Sequence, residues 1–212
     1  MWQISTEQAR ELYQVGDAAH GFEHVLRVYR MAEKIGAIEG ADLTILRPAA
    51  LLHDVENSMV DEEKRKNHHL YSAEVAGKLL REHGWEETKI REVQHCIRAH
   101  RYRDENEVPC SLEAKVLFDA DKLDSIGAVG TARAIAVSVE RGLPFYQTPS
   151  SKFVESGELS EGELHTTYHE FWFKLKNVKG RLLTETGQAL AEQRHIMMCQ
   201  FFEQLAKEMN TF

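Results

Sequence analysis

The chain has 212 residues, 42% of them hydrophobic, with a formal net charge of -8; that is enough apolar material for one ordinary core. The charge argues against a nucleic-acid polymer as partner, because such affinity comes mainly from cations set against phosphates. No apolar run approaches a membrane span, and the opening "MWQISTEQAR" has neither a basic leader nor an apolar signal core, so a cytoplasmic protein with no membrane partner is expected.

Prolines number four, and apolar residues mostly recur three and four apart, so an all-α chain is predicted. From Glu23 to Ile35, the residues Val25, Val28, Ala32 and Ile35 make one stripe that ends near Gly36. Asp42 is a plausible N-cap for a second helix running to about Val55, which Pro48 must either kink or begin. "NSMVDEEKRKNHH" reads as a charged loop, followed by a helix from Ser72 to about His83 with Gly84 as its stop. A fourth helix covers Glu87 to Ala99, and "RYRDENEVPCS" is a loop. Ser111 opens a fifth helix that reaches about Arg141, with breaks suggested at Gly127 and Gly130. Residues 142–164 carry the Pro, Ser and Gly of an irregular excursion, a candidate lid. Two helices, about His165 to Lys176 and Thr186 to Met209, finish the chain.

The three cysteines, Cys96, Cys110 and Cys199, are far apart and form no CxxC pair, so neither a disulfide framework nor a thiolate zinc site is indicated. The chemistry must come from the eleven histidines and the carboxylates. In "AALLHDVENS" a histidine and an aspartate follow four apolar residues, where an unpartnered polar group is costly. His24 flanks the first apolar stripe, and Asp119, Asp121 and Asp124 lie in "LFDADKLDSIG". Imidazole and carboxylate together suit divalent ions of the Mg, Mn, Fe or Zn kind. Each residue alone is more often a satisfied core or surface group.

Taken in order, "HVLRV" after "AHGFE", then "AALLHDVE", then "KVLFDADKLDSIGAVGTAR" resembles the H…HD…D signature of the HD-domain metal-dependent phosphohydrolases, and in particular the small bacterial nucleotide-directed branch. The likeness continues through "HHLYSAEVAGKLL" and "HCIRAHRYR" to "HEFWFKLKNVKGRLLTETGQALAEQRHIMMCQFFEQL", so it covers nearly the whole chain. It implies a single helical-bundle HD-type domain over 1–212, with a metal-site core at about 17–141 and a C-terminal helical extension at about 142–212. It implies that His24, His53, Asp54 and Asp121 hold one divalent ion, whether Mn, Mg, Fe, Co, Ni or Zn. Asp121 is preferred to Asp119 because a basic residue and a leucine follow it, and two such neighbours on a helix point nearly opposite ways.

Around that set the resemblance suggests further roles. His69 and His100 match histidines that face the cavity in some relatives, whereas His68 and His95 are expected at the surface. Arg27, three residues beyond His24, and Lys122 are placed to meet phosphate. Asp17 and His20 cap or orient the first ligand's helix, and Asp124 orients a ligand or forms a salt bridge. Gly127 and Gly130 allow close packing, while His169, Trp172 and Lys174 are candidates to close the pocket. The implied function is hydrolysis of a phosphate ester or phosphoanhydride in a small nucleotide by a metal-activated water, with Asp54, Arg27, Lys122, His69 and His100 as the catalytic group. The alternatives are a non-catalytic metal- or nucleotide-binding module, a helical interaction module and a di-iron HD oxygenase. The oligomeric state, a homodimer included, is left open.

Overall fold

The computed structural model describes residues 2–13, 21–56, 62–102 and 107–210, with only the backbone of 62–65. Helices and their connections make up the described chain, with no strand among the described residues, so the all-α expectation holds. The chain divides into two compact units, residues 1–121 with 183–187, and residues 122–182 with 188–212. Among the described residues, no helix is long and apolar enough to cross a membrane.

In the first unit, α1 (Thr6–Leu12) opens with a capping box in which the Ser5 side chain and that of Gln8 satisfy each other's backbone N–H. The sequence reading made no helix here. The next helix, α2 (Phe22–Glu39), runs one turn beyond the predicted end and stops at Gly40, whose φ of +80° suits a residue without Cβ. Gly36, expected to be the stop, instead permits contact: a Cβ there would lie 2.5 Å from Leu46 Cδ2 on α3 (Leu43–Leu52).

Helix α3 is the centre of this unit. Its residues Ile45, Leu46, Pro48 and Ala49 through Leu52 are all buried, and it packs against α1, α2, α4 (Glu62–Glu82) and α5 (Glu87–Ala99). Asp42 caps it by accepting from Thr44 N at 2.7 Å, as predicted. Pro48 sits inside the helix and cannot donate to the carbonyl of Thr44. Gln3 Nε2 lies 3.5 Å from that oxygen.

Helix α4 begins ten residues before the predicted Ser72, so most of the tract read as a charged loop is helical. Glu, Lys and Arg are good helix formers whatever their exposure. Helix α5 has the predicted bounds. The long fifth helix is in fact two, α6 (Leu112–Asp124) and α7 (Gly127–Glu140), parted at Ser125 and Ile126, with Gly127 at φ +76°.

In the second unit the irregular excursion contains a short helix, α8 (Ser151–Ser156), started by Ser150. Glu163 gathers this segment, accepting from Ser150 N, Ser150 Oγ and Ser160 N and meeting His169 Nε2 at 3.0 Å. Those backbone donors hold its carboxyl down to about 2. The next predicted helix is α9 (Thr167–Phe173) followed by a 3₁₀ segment, Leu175–Arg181. The last is α10 (Glu185–Met209), where Phe202 stacks on Phe171 at 4.4 Å.

Candidate metal centre

The end of α3 explains why a histidine and an aspartate follow its apolar run. A helix leaves its last carbonyls without intrahelical donors, and here the last three each find one. His53 Nδ1 lies 2.8 Å from Ala50 O, Tyr13 Oη donates to Leu51 O at 2.9 Å, and Val55 N donates to Leu52 O at 3.4 Å. Burial, then the charge of Asp54, keeps the Tyr13 phenol protonated as that donor. Glu56 N donates to Ser72 Oγ on α4 at 3.1 Å, which fixes the chain just past Asp54.

The Ala50 carbonyl can only accept, so His53 carries its proton on Nδ1 and leaves Nε2 bare. His53 is fully buried, and Nε2 has no hydrogen-bond partner. A buried acceptor of this kind is costly unless something occupies it. His100, at the end of α5, repeats the device: its Nδ1 lies 2.5 Å from Ile97 O, again three residues back.

Three elements, α2, the end of α3 and α6, bring their side chains to this point. His24 Nε2 from α2 lies 3.8 Å from Asp54 Oδ2 and 3.4 Å from Asp121 Oδ1 on α6, and His53 Nε2 lies 3.8 Å from Asp54 Oδ2. Ligand bonds of roughly 2.0–2.2 Å place neighbouring donor atoms about 3–3.5 Å apart, so a modest contraction would put His24, His53 and Asp54 around one divalent ion, with Asp121 adjoining through His24. His24 and Asp54 are buried, and Asp121 is half-buried, with its side chain 20% exposed. Burial pushes the His53 imidazole below its ordinary value, as a neutral ligand requires. Burial, and then His53, take His100 well below its own. For Asp54 burial acts upward, but the neighbouring imidazoles of His53, His68 and His100 prevail and hold the carboxyl well down.

Asp54 has a second set of neighbours. Its Oδ1 lies 3.1 Å from His68 Nε2 and 3.6 Å from His100 Nε2, and the two imidazole nitrogens are 3.3 Å apart. The donor atoms of Asp54, His68 and His100 thus form a second group spaced closely enough to hold an ion, beside that of His24, His53 and Asp54.

His68 is therefore corrected. It is not a surface residue but buried, and it, not His69, has the contact with Asp54. Neighbouring residues on a helix point about 100° apart, and here it is the His68 ring that is turned towards Asp54. His69 is buried on α4 with its ring 5.8 Å from that of His68. Arg27 is half-buried on α2, and Lys122 follows Asp121 in the chain but belongs to the second unit. Asp17 and His20 lie outside the described residues. His95 is half-buried against Glu107 at 2.5 Å.

The other aspartates have structural partners. Asp119 accepts from Leu183 N, Thr184 N and Thr184 Oγ1 at 2.8, 2.8 and 2.6 Å, just ahead of α10. Asp124 forms a salt bridge with Arg133 at 2.6 Å. His169 is buried with Glu163 and Thr166, while Lys174 pairs with Glu170 at the surface.

A helical fold that gathers two imidazoles and two carboxylates from three elements, α2, the end of α3 and α6, offers the donor types that suit a divalent ion. The chain belongs to the HD domain family, whose model matches residues 21–126. Among its relatives is YpgQ of Bacillus subtilis, 35% identical over 194 residues, which are 90% of this chain and 85% of that protein. The crystal structure of YpgQ in complex with ADP superposes with a TM-score of 0.75 at 31% identity, covering 98% of this chain and 99% of the other. An HD-superfamily hydrolase from Bacillus thuringiensis gives 0.70 at 27% identity, covering 98% and 95%. The fold is that of HD-superfamily hydrolases.

Proposed function

We propose that this protein is a metal-dependent phosphohydrolase acting on a phosphate ester or phosphoanhydride of a small nucleotide, with His24, His53, Asp54 and Asp121 as the ligands of one divalent ion. The observation that carries the reading is the bare, buried Nε2 of His53, fixed by Ala50 and grouped with His24 and Asp54, with Asp121 beside His24. The ADP held by the related YpgQ supports a nucleotide as the ligand class.

Two neutral imidazoles and two carboxylates balance a doubly charged cation, which keeps a buried site near neutrality. When bound, the ion polarises a phosphoryl oxygen and lowers the pKa of a bound water towards neutrality. The protein's own groups do the rest. His53 and His24 stay unprotonated to ligate, and Asp54 stays ionised at the centre. Arg27 and Lys122 are proposed to neutralise phosphate charge. His100, with Nε2 3.6 Å from Asp54 Oδ1, is proposed to meet the substrate phosphate beside the ion. The role first given to His69 passes to His68, which has the contact with Asp54.

A two-ion site of the oxygenase type is the second reading, favoured by one observation, the group formed by Asp54, His68 and His100. The test of the leading reading is to load the protein with Mn²⁺ and assay nucleoside mono-, di- and triphosphates for released phosphate and pyrophosphate. Turnover that falls at least 100-fold in Asp54→Ala, together with loss of bound metal, is expected. If neither product forms and the variant matches the parent, the enzyme reading is wrong.

A further inference from the structure

The second unit holds a cleft of about 550 Å³ between the 3₁₀ segment Leu175–Arg181 and α10 from Gln188 onward, and none of its lining residues belongs to the metal centre. That volume lies within the range of small-molecule sites. Its walls follow from two helical periods. A 3₁₀ helix has about three residues per turn, so Leu175 and Val178 share one edge and are buried, while Lys176 and Lys179 share the next and line the cleft. On α10, Gln188, Glu192 and His195 recur at the spacing of one helix face.

The lining is rich in N–H donors. The stretch "KLKNVKGR" from Lys174 to Arg181 carries four cations and no carboxylate, in a chain whose net charge is -8. Lys176 has no carboxylate partner among the described residues, and its ammonium lies over the Trp172 ring, 3.4 Å from the centroid. Burial pushes that ammonium below its ordinary value, so an anion arriving there restores the charged form. Asn177 spends one amide hydrogen on Phe173 O and Gln188 spends one on Leu182 O, which leaves each a second to give. Against these donors the lining sets one carboxylate, Glu192, which pairs with Lys179. The Cys199 thiol, 3.5 Å from His195 Nε2, is kept protonated by burial and adds no negative charge.

We propose that this cleft is a second binding site, separate from the metal centre, for the phosphate of a small molecule of nucleotide size, held by Lys176 and Lys179 with the amides of Asn177 and Gln188. A phosphate group carries nearly two negative charges at neutral pH and several strong acceptor oxygens. Two ammonium groups on one edge suit it better than they suit a singly charged carboxylate. On entering, it displaces Glu192 from Lys179 and draws Lys176 off the Trp172 ring. The proposal goes beyond the hydrolase reading and does not depend on it.

The experiment is equilibrium dialysis of the chelator-treated full chain against ADP and, separately, against inorganic phosphate, with Trp172 emission as a local readout. ADP is expected to bind and to change the emission, and Trp172→Phe should remove that change. Asp121→Ala should bind ADP as the parent does. Lys176→Met, which keeps the apolar stem against Trp172, is expected to weaken binding about tenfold or more, and Glu192→Gln to tighten it about threefold or more. A gain of affinity in Glu192→Gln cannot be mimicked by a folding defect. Inorganic phosphate bound as tightly as ADP also upholds the site and makes free phosphate its ligand. No ligand bound below about 5 mM, binding lost in Asp121→Ala, or an affinity that neither Lys176→Met nor Glu192→Gln moves overturns the proposal. The Mn²⁺-dependent turnover assay is independent of each of these outcomes.

Discussion

Replacing Asp119 and Asp121 separately should divide structure from chemistry within two residues of one helix. The Asp119 carboxylate is buried and accepts two backbone N–H groups and a hydroxyl from Leu183 and Thr184. In Asp119→Ala the Thr184 hydroxyl can rotate, but the two N–H groups lose their acceptor in a place with little water. Hydrogen bonds to charged groups contribute about 1.5–3 kcal/mol each, so the loss should be roughly 3–5 kcal/mol, from two to three such bonds discounted for relaxation. For a chain of this size each kcal/mol shifts Tm by roughly 2–4 °C, giving a fall of about 6–20 °C. Asp121 is half-buried and faces His24, so Asp121→Ala should leave the metal-free Tm within about 4 °C and abolish Mn²⁺ binding. Gly187→Ala should resemble Asp119→Ala in weaker form, because a Cβ there would overlap Asp119 Oδ2 and press on Thr184 Oγ1. The assay is a thermal melt of chelator-treated protein beside a Mn²⁺ titration. If Asp119→Ala melts with the parent and Asp121→Ala melts early, the division of roles is reversed and the reasoning fails.

His53→Ala should empty the metal centre and also leave the Ala50 carbonyl without its donor, whereas His83→Ala should leave the metal content unchanged, since His83 is exposed and its partners are Leu79 O and the stacked Trp2 ring; elemental analysis of both decides it. Lowering the pH should destabilise the metal-free protein in a defined window. His53 and His100 have folded-state values below the ordinary 6.5, so unfolding takes up protons below that pH and stability falls as pH falls. Between pH 7.5 and 5.5 each histidine contributes at most about 1.4 kcal/mol, so melts at those two pH values should differ by up to about 10 °C. Asp54, held well below 3.8, is already ionised throughout and adds its loss only in stronger acid; a Tm that is flat or rises towards pH 5.5 contradicts the neutral assignment of both rings.

Much of the fold was legible because packing left a pattern in the sequence. Helix α5 could be bounded because Ile90, Val93, Cys96 and Ile97 keep helical spacing to its end. Asp42 announced α3 because it caps as its chemistry suggests. The first turns of α4 were not legible, because "EEKRKN" has helical propensity but no apolar face to reveal a period. The separation of α6 from α7 left a cue in Gly127, but the break falls at Ser125 and Ile126, which alone carry no such signal. Helix α1 had its cue in "STEQ", a capping box, and too few apolar residues to confirm it.

At the site, the order of motifs pointed to His24, His53, Asp54 and Asp121, and the structure brings their ligand atoms to within 3.4 to 3.8 Å along the measured pairs. The choice between His68 and His69 was not legible, because both are buried and only the rotation of α4 decides which ring reaches Asp54. One signal was available. His68 lies four residues before Ser72, which is wholly buried and holds the backbone just beyond Asp54, so the two share the stripe of α4 that faces the centre. The same local view explains both C-terminal histidines. An imidazole that ends a helix can spend Nδ1 on its own carbonyl three residues back and project a bare Nε2 beyond the helix end, as His53 and His100 do. A histidine closing a buried apolar helix is thus already half of a ligand, and what separates His53 from His100 is the company of its Nε2. His53 Nε2 lies 3.8 Å from Asp54 Oδ2 and has no hydrogen-bond partner, while His100 Nε2 meets His68 Nε2 at 3.3 Å.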